Sequence, residues 1–106
     1  MFSLGNLKGT IMYENIPLVK FEYDGGMFVD AELLCYDKTI LPFDFVDFVV
    51  NEDRVTTFFE ERVTPDTRIN IDIELKKYGL YPYNPETLIR YQNGRCFDDD
   101  YWVKFD

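Results

Sequence analysis

The sequence predicts an α+β domain: an N-terminal antiparallel β-meander of about three strands packed against two or three helices, with a short C-terminal strand. Three observations point there. Apolar and polar residues alternate through the first third of the chain, the period of strands half-buried on a sheet. From Asn51 to Gly79 the apolar spacing becomes that of two helices joined by a tight corner. And 106 residues, 46% of them hydrophobic, are enough for one core, so residues 1–106 read as a single domain.

Thr10-Ile11-Met12-Tyr13 and Ile16 to Tyr23 read as a hairpin joined at Glu14-Asn15; Val19, Phe21 and Tyr23 alternate with Lys20 and Glu22. Pro17 sits near the strand's start, where a missing donor is tolerated. Asp24-Gly25-Gly26 is the clearest turn, because glycine supplies positive φ without strain. A third strand begins at Met27-Phe28-Val29 and extends toward Tyr36. The connector Leu41 to Phe48 is thick with aromatics; Phe43, Phe45 and Phe48 are expected to plug the gap between sheet and helices, or to form an exposed docking patch.

Asn51-Glu52-Asp53-Arg54 starts a helix with Val55, Phe58, Phe59 and Val63 on one side and Glu60, Glu61 and Arg62 on the other. Thr64-Pro65-Asp66-Thr67 restarts it with a capping oxygen, proline at the first helical position and an early acid. Ile69, Ile71, Ile73 and Leu75 alternate like a strand, yet Ile71, Leu75 and Tyr78 also fall at helical spacing. The terminal signals decide for helix: Lys76 and Lys77 in the last turn, then Gly79 for a left-handed stop. Leu80 to Tyr83 is a loop. Asn84-Pro85-Glu86-Thr87 caps a short helix through Tyr91, ended by Asn93-Gly94, and Phe97 to Phe105 closes the chain with Tyr101, Val103 and Phe105 on one face.

Charge narrows the function. Twenty acids against eleven Lys and Arg give −9, and residues 22–61 hold eleven acids with only Lys38 and Arg54, so this block equals the whole net charge. Such a block repels nucleic acid and anionic membranes and attracts basic surfaces. No apolar run reaches the ~18 residues a membrane span needs, and the N-terminus lacks the pattern of a signal peptide. Cys35 and Cys96 read as buried small hydrophobes, and the protein is expected in the bacterial cytoplasm without cofactor or metal.

Catalytic patterns are sparse. The chain has no histidine, which removes the commonest general base and metal ligand, and Ser3 is its only serine. Pro65-Asp66 with Glu74-Leu75-Lys76 spells the P-D…E-x-K pattern of Mg²⁺-dependent nucleases, which would hold the metal between two carboxylates. That chemistry needs neighbouring strands, whereas a helix would separate Asp66 from Glu74 by about 12 Å along its axis. Asp98-Asp99-Asp100 has no calcium-loop spacing around it. Tyr81 and Tyr83, beside Pro82 in a loop, are the aromatics best placed to be presented to a partner.

From Phe59 onward the residues resemble a segment found ahead of the kinase domain in clostridial HipA-like proteins. Arg62-Val63-Thr64-Pro65-Asp66-Thr67-Arg68 is similar to that family's R-x-x-P-x-x-R corner, and Ile71, Leu75, Tyr78, Gly79 and Leu80 to its amphipathic helix. Gly94 and Cys96 to Val103 resemble its closing G-x-S-[apolar]-x-D-x-Y-W-[IV] motif, with Cys96 at the serine and Asp99 at the acid. The resemblance supports the helix and implies an accessory segment that carries no kinase residue. Together with the charge, it points to binding. The expected function is that of a small acidic inhibitor of phage or mobile-element type, docking on the basic groove of a nucleic-acid-binding effector such as a CRISPR nuclease. Asp44, Asp47, Glu52, Asp53, Glu60 and Glu61 would supply the field, with Tyr81 and Tyr83 as anchors. The alternatives are a detached subunit of a HipA-type toxin–antitoxin system and the Mg²⁺-dependent nuclease.

Overall fold

A computed structural model of the chain describes residues 4–63, 70–95 and 99–106. Its strands are β1 (Lys8–Tyr13), β2 (Ile16–Asp24), β3 (Met27–Leu33) and β4 (Tyr101–Phe105), and its helices α1 (Glu52–Glu60), α2 (Ile71–Lys77) and α3 (Pro85–Gln92). The strands form one antiparallel sheet in the order β3-β2-β1-β4, so the chain's end closes beside its beginning. This is the α+β architecture that the alternation and the helical spacing predict.

Register explains the core. Leu33, Val19, Ile11 and Val103 lie side by side across the four strands, and Ala31, Phe21, Gly9 and Phe105 form the next row. Side chains of one row share a face, and here that face is the buried one, covered by Val55, Phe58 and Phe59 of α1 and Ile89 of α3. Phe59 meets Phe21 edge-on at 5.0 Å between ring centroids. Gly9 lacks a side chain because β4 runs too close: a Cβ there would strike the carbonyl of Lys104.

Two places depart from simple alternation. Ile11 pairs with Val19 but Met12 with Pro17, leaving Leu18 as an extra residue in β2. That bulge lets the consecutive Leu18 and Val19 both be buried, which an unbroken strand forbids. β3 ends at Leu33 rather than near Tyr36. Leu34 N–H still reaches the Leu18 carbonyl at 2.7 Å, but Pro17 beyond it has no donor to continue the ladder.

The helix ends follow their sequence signals, with two corrections. Asn51 caps α1 by accepting from Arg54 N–H at 3.0 Å, and Asn84 caps α3 from Thr87. At the end of α2, Gly79 is left-handed (φ 72°) and Leu80 N–H bonds back to Leu75 at 2.7 Å. However, α2 starts at Ile71, because Asn70 before it is itself left-handed (φ 66°), a conformation no right-handed helix runs through. The expected Thr64-Pro65-Asp66-Thr67 start lies outside the described residues. The second correction is at α1, which ends at Glu60 rather than continuing to Val63. Val63 remains buried, but Arg62 turns inward.

The aromatic connector divides its roles. Phe45 lies in a short 3-10 turn (Phe43–Phe45) and is fully buried as a plug, Phe48 is half-buried, and Phe43 is 88% exposed. Among the described residues, no helix is long and apolar enough to cross a membrane.

Candidate protein-binding face

The acidic block of residues 22–61 divides between two surfaces. Of its first part, Glu22, Asp30 and Glu32 sit on the sheet face turned away from the helices, where register puts Lys8 in one row with Glu22 and Asp30, and Lys20 beside Glu32. There positive and negative charges alternate around a shallow hollow of about 170 Å³. The second part, Asp44 to Glu61, surrounds the 3-10 turn and α1. The contiguous field that the sequence suggests is therefore confined to this second surface.

Local physics accounts for some of these acids. Glu52 and Asp53 lie in the first turn of α1, where the helix dipole favours negative charge. Asp47 receives both guanidinium nitrogens of Arg54, at 3.0 and 2.8 Å, and this pairing holds its carboxyl below the usual range. Arg54 also donates to the Asp44 backbone carbonyl at 3.0 Å, which fixes it in place.

The others gain no such support. Glu60 and Glu61 stand at the C-terminal end of α1, where the dipole disfavours them and the last turn has no basic residue. Burial pushes the Asp44 carboxyl up despite its own backbone N–H and the nearby Arg54 and Arg62. Burial also raises Glu61, and the negative charge of Asp44 adds to the effect. Glu52, Asp53, Glu60 and Glu61 form no ion pair among the described residues. Their field reaches the core's edge. Burial raises the Tyr23 hydroxyl, its hydrogen bond with Thr56 partly offsets this, and Glu52 and Glu60 push the same way as burial.

A groove of about 530 Å³ opens between the turn and α1. Phe43, Val46 and Thr57 give it an apolar wall; Asp44, Asp47, Asp53 and Arg54 edge it. Half of the expected field residues line it; Glu60 and Glu61 stand at the C-terminal end of α1 and do not, although Glu61 is close enough to Asp44 to feel its charge. The expected anchors separate. Tyr81 is 50% exposed with the Lys76 ammonium 4.8 Å from its ring centroid, whereas Tyr83 is half-buried and packs against the core.

One residue was assigned the wrong side by sequence spacing. The Arg62 side chain, only 5% exposed, donates to both carboxylate oxygens of Asp99, to the Gly94 carbonyl at 2.8 Å and to the Tyr101 carbonyl at 3.4 Å. Its guanidinium lies 4.5 Å from the Phe58 ring centroid. The available signal was the resemblance, which places Arg62 in one motif and Asp99 in the other. Asp99 is thereby committed to Arg62, and Asp98 lies outside the described residues. No group of three acids or cysteines able to hold a metal occurs among the described residues. Of the nuclease pattern, Glu74 and Lys76 lie on helix α2 rather than a strand, and Asp66 is outside the described residues.

Comparisons with protein families, characterised proteins and solved structures return no match.

Proposed function

We propose that this chain is a small acidic, non-enzymatic binding protein. It docks on a basic surface of a bacterial nucleic-acid-binding effector and inhibits it by occupying the place of phosphates. One observation carries this reading: Asp44, Glu60 and Glu61 sit where burial or the helix dipole works against their charge, with no described cation bonded to their carboxylates. Charge kept against local stability is expected where a cationic partner supplies the missing stabilisation.

The test is capture of partners from bacterial lysate by the full chain and by a triple variant, Asp44→Asn, Glu60→Gln and Glu61→Gln. A nucleic-acid-binding protein retained at low salt, released by high salt and displaced by duplex DNA supports the reading. Retention that ignores salt, or that survives in the triple variant, refutes it. A captured kinase would instead favour the toxin–antitoxin subunit, for which the joining of the two resembled motifs through Arg62 and Asp99 is the supporting observation.

A further inference from the structure

We infer that the groove between the 3-10 turn and α1 is a receptor for an arginine side chain of the partner, stacked on Phe43 and held by Asp44 and Asp53. The inference rests on the binding reading above and names its point of contact. Charge complementarity identifies the occupant. Of the described residues that line the groove, Arg54 is the one cation set against Asp44, Asp47 and Asp53, and it is fixed on Asp47 and the Asp44 carbonyl; Arg62, outside the groove, also acts on Asp44. The remaining negative charge belongs to Asp44 and Asp53. Asp44 has already lost part of its hydration, so an incoming cation meets a smaller desolvation cost there than at a fully hydrated acid.

Phe43 selects the kind of cation. At 88% exposure its ring contributes almost nothing to the core, unlike Phe45 two residues on, which is fully buried. A free phenyl face beside carboxylates suits a guanidinium, which is planar, stacks on rings and offers several donors in one plane. Lysine's compact, strongly hydrated ammonium matches the charge but not the shape. The molecule stacks arginine on an aromatic ring in its own interior too, where Arg62 lies over Phe58.

The experiment is an NMR titration of the full ¹⁵N-labelled chain with two probes, a peptide of alternating glycine and arginine and its lysine counterpart. Saturable shifts centred on residues 43–57, with the arginine peptide about two- to fivefold tighter, are expected from one exposed cation–π contact. Phe43→Leu, which keeps an apolar side chain, should abolish that preference, and Asp44→Asn with Asp53→Asn should weaken both peptides. Shifts centred on Glu22, Asp30 and Glu32, equal affinities, or an undiminished preference in Phe43→Leu would overturn the arginine site while leaving the acidic-binding reading standing. Failure of both peptides to bind would overturn both.

Discussion

Two bidentate arginine–aspartate pairs occur among the described residues, and they do opposite things. Arg54–Asp47 lies on the surface, its side chains 37% and 49% exposed; in Arg62–Asp99 the guanidinium is 5% and the carboxylate 30% exposed. The inner pair links three separate pieces of chain: the end of α1, the loop after α3 and the start of β4. The outer pair links residues seven apart and holds one acid of a groove that has two more. Identical chemistry is a structural tie in one place and the border of an acidic groove in the other. Burial makes the difference, because water competes for both partners of the outer pair but reaches only the Asp99 side of the inner one.

The sharpest way to break this comparison is to remove each arginine in turn. Arg62→Ala strips Asp99 of its counter-charge, orphans the Gly94 and Tyr101 carbonyls and leaves a void against Phe58. Loss of one partner of a buried pair costs about 3–5 kcal/mol, which should appear as a large fall in the urea midpoint. Arg62→Lys should recover only part, since an ammonium cannot reach both Asp99 oxygens and the carbonyls at once.

A smaller loss is expected next door. Gly94 is left-handed (φ 65°), and a Cβ on it would run into the Val103 side chain. Gly94→Ala should therefore destabilise by about 1–3 kcal/mol, with the Arg62 contacts displaced in the same spectra. At the outer pair, Arg54→Ala and Asp47→Ala combined in a double-mutant cycle should show a coupling close to the error of a denaturation measurement. What coupling exists should be present above the normal carboxylate range and vanish as acid protonates Asp47, whose folded value is lowered.

The contrast also separates what the sequence could show from what it could not. Strand alternation fixes a face for Ile11, Val19, Phe21 and Val103 without any tertiary knowledge, and Asn51, Asn84 and Gly79 end helices through bonds to near neighbours. The inward turn of Arg62 depends on Gly94 and Asp99, more than thirty residues away, and helical spacing alone put it beside Glu60 and Glu61 on the solvent side. The charge block failed in part for the same reason. Counting along the chain cannot include Lys8 and Lys20, which the register of β1 and β2 sets among Glu22, Asp30 and Glu32. Nor does composition separate Phe43 from Phe45; the three-residue turn sends one to solvent and the other to the core.

The smallest effect tests whether the acidic surface exists for stability at all. Burial raises the Asp44 carboxyl in the folded chain, so the folded state resists its ionisation more than the unfolded state does. The favourable contribution is thus fully present below the unfolded carboxylate value and is lost as pH rises through the higher folded value. At neutral pH the charge is a net cost to folding. Asp44→Asn removes that cost and should raise the melting temperature slightly at pH 7, with the gain shrinking to nothing in acid where both side chains are neutral. A parallel gain is expected for Glu61→Gln, whose carboxyl burial also raises. If these variants fold better and bind the glycine–arginine peptide worse, stability and binding pull in opposite directions at the same atoms, as expected for a surface that serves a partner. If Asp44→Asn instead melts lower at pH 7, its carboxylate supports the fold, and the contrast between the two arginine–aspartate regions loses its functional meaning.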